Sequence, residues 1–529
     1  MVRNVLARPL AAAVMVAALA IPSVAGAAAP APVLHNDNAT AKAGDWYHGA
    51  LPPNVDYSKP VILFVQGLHS DYTTWYNSNG YYDAAYNMGY RTAFVQLKDA
   101  DGGGGSPWTN GPMLASVIKK VAAYYGVSKL NIIAHSKGGI DTQSALIHYG
   151  AYPYVNVVHQ LSTPNKGSEL ADMSYGSWTW WIGAIMGQQD DAVYSLQTSW
   201  MASFRSQTDS RTEKNYARTY TSAGWGDEGI GTAYWYAHAV LPGEDDGAVA
   251  EYSALGLPWG IKSFTADISH TEMRHASQTW SKVYPKLTTY SYYSAPQVQA
   301  DAVEADAVIE APQESSNMIL RGGQVKGQAQ DTFVVEDGLD SITLDVMTAH
   351  EDSNVVLVAP WGKRITAEKK GKSGETTDIF GKASHNYFQI EKPEKGTWTI
   401  EVEGNDDAYF MYANVQDSDA KGKAKVKANK KVFKKGEVAD LSIEFDKVKM
   451  VADNVKKAKV TKAKAKTNKG QEIALAAKGN TLTTSFEVPS ESGVYNLSFD
   501  VTGINENGDE FTRSVNYNFA VADENGKVE

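Results

Sequence analysis

The sequence predicts an α/β protein with a doubly wound, mostly parallel sheet, followed by two small all-β domains. Short apolar runs alternate with helical patterns between residues 58 and 294, which is typical of βαβ units and a parallel sheet. An acidic, Ala/Gln-rich stretch without aromatic residues, at 295–316, predicts a linker. Beyond it, apolar and polar residues alternate in the way expected of half-buried strands in Ig-like β-sandwiches.

The elements of the α/β part follow in chain order. Apolar runs bounded by turn residues predict strands at 60–65, 92–97, 130–133, 155–161, 237–241 and 262–268. Periodic patterns predict helices at 81–88, 111–125, 140–147 and 276–284. The segment from about 165 to 225 is different, because it carries the apolar, Trp-rich cluster Trp178–Met186. This cluster predicts either an inserted cap over an apolar site or a core helix.

The chain ends define further segments. Residues 1–27 have the charged region, apolar stretch and A-x-A site of an export signal, and residues 28–57 read as a leader. No later run approaches 18 apolar residues, so we expect a secreted, soluble mature protein with no transmembrane segment. The two β domains are predicted at 317–418 and 419–529, the second opening on a Lys-rich stretch.

Composition excludes several classes of function. The 529 residues carry a formal net charge of -11, which argues against general nucleic-acid binding. The chain has no cysteine, which excludes disulfides, a cysteine nucleophile and cysteine-ligated zinc.

A candidate nucleophile lies in the stretch Lys129–Asp141, with the sequence K-L-N-I-I-A-H-S-K-G-G-I-D. A strand pattern leads into Ser136, and a helix pattern follows two glycines. A serine on a sharp strand-to-helix turn is a nucleophile elbow, where small residues let the strand and the helix approach closely. Ala134 takes the place of the first glycine in the usual G-x-S-x-G pattern.

A serine nucleophile needs an imidazole base and a carboxylate that orients it. In folds with this elbow the order along the chain is Ser, then the acid, then His. That order leaves His270 and His275, and His270 is favoured because it directly follows a predicted strand. Asp246 is favoured as the acid because it precedes a glycine in a turn, and Asp245 and Glu244 stay open as alternatives.

The oxyanion hole should consist of two backbone N–H groups. One belongs to Lys137, the residue after the nucleophile, whose side chain we expect to point to solvent. The other should come from Leu68, in the loop after the first predicted strand. Leu68, Ser136 and Thr163 all follow predicted strands, and sites in parallel sheets form at the carboxyl ends of strands.

Five motifs in the expected order resemble those of secreted bacterial lipases of the α/β-hydrolase superfamily, with the elbow similar to the Bacillus-type A-H-S-x-G-G. They are F-V-Q-G-L at Phe64–Leu68, A-H-S-K-G-G at Ala134–Gly139, L-S-T-P-N-K-G-S-E-L-A-D at Leu161–Asp172, D-G-A-V at Asp246–Val249 and S-H-T-E at Ser269–Glu272. The resemblance implies an α/β-hydrolase fold and ester hydrolysis without a cofactor. It makes Ser136 the nucleophile, Asp246 the acid, His270 the base, and Leu68 and Lys137 the oxyanion donors.

Two positions depart from the family pattern. Gln66 stands where the family usually has His, which leaves the support of the oxyanion loop open. Asn165 replaces the usual His after Thr-Pro. Some relatives bind a structural calcium near the histidine loop, and Asp267 and Glu272 flank His270 here, but the sequence assigns no ligands.

The resemblance implies a serine ester hydrolase, with a triacylglycerol lipase as the first expectation. A depolymerase of a hydrophobic polyester such as polyhydroxyalkanoate is the alternative within this class, because a Trp-rich cap and appended β domains suit an insoluble substrate. In another class, the chain would be a cell-surface binding protein with an inactive hydrolase domain. We expect a lipid or another hydrophobic ester as the substrate, and contact of the β domains with a cell wall or an insoluble substrate.

Overall fold

The computed structural model describes most of the chain. The described ranges are residues 28–35, 42–76, 79–101, 104–179, 189–226, 237–288, 315–372, 379–380, 382–417, 421–452, 455, 458–464 and 470–528. The predicted export signal and most of the predicted linker and Trp-rich cluster lie outside these ranges. None of the helices in the described ranges is long and apolar enough to cross a membrane.

An eight-stranded sheet forms the α/β part, in the order β1-β2-β4-β3-β5-β6-β7-β8. Its strands are β1 (Val33–His35), β2 (Trp46–His48), β3 (Ile62–Val65), β4 (Thr92–Val95), β5 (Leu130–His135), β6 (Val155–Leu161), β7 (Arg218–Gly224) and β8 (Ile261–Ala266). The six strands from β3 to β8 run parallel, while β1 and β2 pair antiparallel at one edge. The predicted α/β class with a mostly parallel sheet is confirmed.

Helices cover both faces of this sheet. They are α1 (Thr73–Tyr76), α2 (Tyr81–Asn87), α3 (Pro107–Tyr125), α4 (Gly138–Ile147), α5 (Glu169–Ser174), α6 (Asp191–Ser195), α7 (Thr198–Thr208), α8 (Glu251–Ala254) and α9 (Ala276–Val283). An aliphatic core lies between the sheet and helices α3 and α4. An aromatic-rich core with Phe64, Trp75 and Trp280 lies on the opposite face, under α1, α2 and α9.

Several elements differ from the sequence prediction. Helix α3 begins at Pro107 rather than at 111, because the Ser106 side chain caps it by accepting a hydrogen bond from the backbone N–H of Thr109. Strands β1 and β2 lie within the predicted leader, and β7 lies within the range assigned to the cap. The strand predicted at 237–241 is wrong, since Ala237–Ala239 form one turn of 3-10 helix.

The C-terminal part is all-β, as predicted. Its strands are β9 (Ser315–Ser316), β10 (Met318–Val335), β11 (Ser341–Thr348), β12 (Asn354–Val358), β13 (Arg364–Thr366), β14 (Lys369–Lys372), β15 (Ser384–Glu391), β16 (Gly396–Gln416), β17 (Ala424–Ala428), β18 (Val432–Lys434), β19 (Val438–Phe445), β20 (Val448–Val451), β21 (Ala458–Lys462), β22 (Gln471–Ile473), β23 (Ala476–Lys478), β24 (Thr481–Glu487), β25 (Gly493–Asn505) and β26 (Glu510–Ala522). Strands β10 to β16 form one sheet around its own core. The later strands form two sheets that share a second core.

The β part packs directly on the α/β part. One buried cluster contains Leu170, Tyr194 and Phe204 from the α/β part together with Phe410 and Val494 from the β part. Specific hydrogen bonds reinforce this interface. The Tyr194 hydroxyl accepts from the backbone N–H of Val494 at 2.9 Å, and Asn518 Oδ1 accepts from the backbone N–H of Ser199 at 3.1 Å.

Candidate active site

Ser136 lies at the turn between β5 and α4, with a backbone φ of +51°. A residue with a side chain rarely adopts this left-handed conformation, so the turn stores local strain. Strain of this kind is expected at a nucleophile elbow, where it directs the serine hydroxyl out of the sheet edge.

The two glycines after the elbow are required by close packing. A Cβ atom at Gly138 would lie 2.2 Å from the backbone oxygen of Gln66, and one at Gly139 would lie 2.0 Å from Thr163 Oγ1. Larger residues would therefore push α4 away from the ends of β3 and β6. The small residues allow the turn after β5 to sit directly beside the loop after β3.

His270 and Asp246 lie in contact, on the loops after β8 and before α8. His270 Nδ1 lies 2.9 Å from Asp246 Oδ2, and the backbone N–H of His270 donates to the Asp246 carbonyl at 2.8 Å. The other carboxylate oxygen of Asp246 accepts from the backbone N–H groups of Ala248 and Val249, at 3.1 and 2.8 Å. These bonds fix the carboxylate, so it holds the imidazole in one orientation, with Nε2 on the side of the ring away from the carboxylate.

The alternatives left open by the sequence lie elsewhere. Asp245 Oδ1 faces His238 Nδ1 at 2.7 Å, so this carboxylate belongs to a different pair. Glu244 is exposed. His275 directly precedes helix α9, as its N-cap residue, and is half-buried. Of these acidic residues, Asp246 alone is shown in contact with His270.

Ser136 and His270 line the same cavity. It is bounded by Gly67, Leu68, Ser70, His135, Ser136, Pro164, Ser168, Leu170, Leu196, Gly247, Ala248, Val249, His270, Arg274 and Ile379. The enclosed space is about 50 Å³, whereas pockets for small ligands usually measure roughly 300–1,000 Å³. Ile379 comes from the β part, between β14 and β15, and the cavity is thus lined in part by a residue from outside the α/β part.

The Lys137 side chain does not point to solvent, and this prediction is wrong. It is fully buried, with Nζ 3.1 Å from Asp99 Oδ1 and 2.9 Å from Asp141 Oδ2. Asn110 donates to both carboxylates, at 2.5 and 3.1 Å. Burial opposes the charged ammonium, but Asp141 and Asp99 outweigh it and raise the pKa of Lys137. The position of Asp141 four residues after Lys137 was the available signal, because side chains four apart meet on a helix.

His135, which precedes the nucleophile, supports the His270 loop. Its Nε2 lies 2.9 Å from the backbone oxygen of His270, and the two ring centroids are 4.6 Å apart. Burial, and next the neighbouring His270, lower the pKa of His135 well below its ordinary value. The ring is therefore neutral and donates its proton to the His270 carbonyl.

Asn165, which stands where the family usually has His, has a structural role. Its side chain is completely buried and donates to Gln160 Oε1 at 3.1 Å and to the backbone oxygen of Ala254 at 2.9 Å. Its oxygen accepts from Gln143 Nε2 at 2.7 Å. Each of these bonds satisfies a buried polar group, and the network joins α4, β6 and α8.

The candidate calcium ligands do not converge. Glu272 Oε2 accepts from the backbone N–H of Ser269 at 3.0 Å, within its own loop, and Asp267 is exposed. Within the described ranges, no three His, Asp or Glu side chains are grouped so that they could hold a metal ion.

No protein-family model and no curated protein matches this chain. Among solved structures, the Bacillus licheniformis lipase BlEst2 in its propeptide form is 27% identical, with a TM-score of 0.71, and the match covers 92% of this chain and 99% of that one. The mature form of the same lipase is 38% identical over its whole length, which covers 47% of this chain at a TM-score of 0.44.

Proposed function

Because this chain belongs to the α/β-hydrolase family of lipases and esterases, and is therefore a carboxylic ester hydrolase, we propose that it acts through Ser136, His270 and Asp246. The main support for this proposal is the contact between His270 Nδ1 and Asp246 Oδ2, which are 2.9 Å apart. His270 and Ser136 line the same cavity. A buried carboxylate, an imidazole it orients and a serine on a strained elbow form the set of groups that acyl transfer needs.

In the proposed reaction, His270 Nε2 takes the proton from Ser136 Oγ as this oxygen attacks the ester carbonyl carbon. The negative charge that develops on the carbonyl oxygen is stabilised by the backbone N–H groups of Leu68 and Lys137. The C–O bond then breaks, and the alcohol leaves with the proton from His270. Water, activated by His270, attacks the acyl-enzyme and releases the acid.

The substrate we propose is an ester with an apolar acyl chain. Leu68, Leu170, Leu196, Val249 and Ile379 contribute apolar side chains to the cavity wall, and an apolar wall gains free energy by burying hydrocarbon. Triacylglycerols are the first candidate within this class. The polyester alternative shares the same acyl chemistry, and a direct comparison of the two substrates separates them.

We also propose that the full chain is a closed precursor. The relative that covers 92% of this chain is described as a propeptide form, and its mature form corresponds to 47% of this chain. Ile379, from the β part, lines the small cavity beside Ser136 and His270, and Phe380 lies in the buried cluster that joins the two parts. In this proposal the β part covers the site until proteolysis separates it.

We also propose that the protein is exported, because residues 1–27 have the charged region and apolar stretch of an export signal. Contact of the β part with a cell wall or an insoluble substrate stays a prediction. The β part packs against α6 and α7. The proposed role of covering the site therefore requires no contact with another molecule.

The test compares the purified full chain before and after limited proteolysis, on p-nitrophenyl esters from short to long acyl chains, emulsified triglyceride and an amorphous polyester film. Hydrolysis by the wild type and its loss in Ser136→Ala are expected. Unchanged hydrolysis in Ser136→Ala would contradict the proposed function, and would favour a binding protein with an inactive site.

A separate variant tests the proposal that the full chain is a closed precursor. Ile379→Ala should raise the hydrolysis of long-chain esters by the intact chain several-fold, because it opens the cavity. Ile365 is a half-buried isoleucine of strand β13, also in the β part but outside the cavity. Ile365→Ala is therefore the matched control and should have no effect. If the intact wild-type chain hydrolysed esters as fast as the proteolysed chain, the precursor proposal would be contradicted, but the proposed ester hydrolysis would not.

A further inference from the structure

The loop after β3 carries Leu68, which is proposed as an oxyanion donor, and the next residue is His69. Gly67, Leu68 and Ser70 line the cavity. The His69 side chain instead faces α6, where its Nε2 lies 2.5 Å from Asp190 Oδ2. We refer to residues 66–70 as the oxyanion loop.

His69 adopts a left-handed backbone conformation, with φ of +47°. This conformation is unfavourable for a non-glycine residue and persists only where the surroundings enforce it. After His69, the Ser70 hydroxyl contacts the Thr74 hydroxyl and ties the chain to α1. The His69 ring is therefore the anchor that holds the turn on the side of α6.

Asp190 is itself held firmly. Its Oδ1 caps α6 by accepting from the backbone N–H of Val193 at 3.0 Å, and its backbone oxygen accepts from the Tyr175 hydroxyl at 2.8 Å. It packs against Gly104, where a Cβ would lie within 2.5 Å of its carboxylate. Asp190 thus offers the ring of His69 a fixed partner.

The pair is largely removed from solvent, with side-chain exposures of 11% for His69 and 12% for Asp190. His69 Nδ1 is buried and has no hydrogen-bond partner among the described residues. Among the described residues, the hydrogen bond with Asp190 is therefore the polar contact that orients the ring, and such a contact is stronger at low exposure than in water.

We propose that His69 and Asp190 are positioning residues, which hold the oxyanion loop so that the backbone N–H of Leu68 points to the developing oxyanion. The inference rests on the proposed function. Neither side chain touches the reacting atoms, so the pair acts through the geometry of the loop.

The test measures how fast wild type, His69→Gln and Asp190→Asn hydrolyse an ester and its thionoester analogue. All three proteins are assayed in the form, intact or proteolysed, in which the wild type is active. Asp190→Asn keeps an oxygen for the Val193 N–H and removes the carboxylate from His69. Sulfur accepts hydrogen bonds more weakly than oxygen, so a displaced Leu68 N–H penalises the ester more than the thionoester. Loss of a whole oxyanion donor costs about 10²–10³ in kcat.

We expect kcat for the ester to fall about 10–100-fold in both variants, with KM unchanged within about twofold and the ester-to-thionoester ratio lowered by about tenfold. His148→Gln is the matched control, because His148 is half-buried and contacts Thr208, at 2.9 Å, outside the cavity. It should leave the ratio unchanged.

An ester-to-thionoester ratio within twofold of wild type in both folded variants would overturn the inference. Loss of the fold in both would also overturn it, because the pair would then stabilise the domain rather than the loop. Ser136→Ala separates the two proposals. If it retains hydrolysis, the proposed function fails; if it is inactive while the ratio is unchanged in both pair variants, only the inference on the pair fails.

Discussion

Replacing Lys137 by Met removes a buried positive charge that lies between two buried carboxylates. Nζ of Lys137 is within 2.9–3.2 Å of oxygens of Asp141 and Asp99, and all three side chains are at most 2% exposed. Methionine has a similar length and leaves little space unfilled. The variant therefore changes charge more than packing, and leaves Asn110 as the remaining partner that the two carboxylates share.

The expected loss of stability is large for one residue. Removing one partner of a buried ion pair costs about 3–5 kcal/mol, because it leaves an uncompensated buried charge. A domain has a free energy of unfolding of about 5–15 kcal/mol. For comparison, Lys59 and Asp56 are 3.9 Å apart with side chains 32% and 43% exposed, and solvent screens such a surface pair so that it contributes little to stability. Lys59→Met is therefore the matched control.

The loss should depend on pH in a defined direction. Burial raises the pKa of Asp141, and Lys137 opposes this rise, so Lys137→Met raises it further. A carboxyl whose pKa is higher in the folded state than in the unfolded state loses stability as pH rises between the two values. The deficit of Lys137→Met should thus be larger at pH 8 than at pH 5.

Urea unfolding followed by tryptophan fluorescence measures this deficit at both pH values. The triple variant Lys137→Met, Asp99→Asn, Asp141→Asn should recover part of the lost stability, because no buried charge remains. A deficit below about 1 kcal/mol that is the same at pH 5 and pH 8 would refute the reasoning.

Three further predictions concern single residues. Gly138→Ala places a Cβ 2.2 Å from the Gln66 backbone oxygen and should lower thermal stability by about 1–3 kcal/mol, whereas Gly323→Ala, whose nearest neighbour is 3.6 Å away, should be tolerated. Burial raises the pKa of Asp172 to about 8, so the contribution of this group to stability falls as pH rises from 4 to 8; Asp172→Asn should remove this contribution and gain at least ~1 kcal/mol relative to wild type at pH 8, measured by urea unfolding. Asp246→Asn should lower kcat about 10⁴-fold, as loss of the orienting acid does in serine proteases, while Asp245→Asn should change it less than tenfold, because Asp245 faces His238.

The sequence predicts the parts of the molecule that depend on local pattern. The parallel strand at 62–65 is a continuous apolar run, and the strands at 92–95 and 155–161 are rich in Val and other apolar residues. The elbow combines a strand, a serine and two glycines in one short stretch. Strand β7 is not predicted, because a charged Arg218 and small polar residues replace the usual Val and Ile in Arg218–Gly224. Its burial comes from its neighbours β6 and β8 rather than from its own composition.

Features that depend on tertiary contacts were not predictable in this way. The burial of Lys137 requires Asp99, which is 38 residues earlier in the chain. The pairing of His69 with Asp190 spans 121 residues, and Ile379 reaches the cavity only because the β part packs on the α/β part. The choice between Asp245 and Asp246 depends on which carboxylate the turn directs toward His270, and neighbouring residues in a turn point in different directions.

Covalent labelling tests the central claim most directly. The hydrolytically active form is incubated with an alkyl organophosphonate, digested, and the peptide that contains residues 130–147 is analysed by mass spectrometry. We predict one phosphonyl group per chain on Ser136, no label in Ser136→Ala, and labelling at least about 100-fold slower in His270→Ala, because the serine then lacks its base. Complete inactivation with the label on another residue, or full activity with Ser136 labelled, would contradict the account.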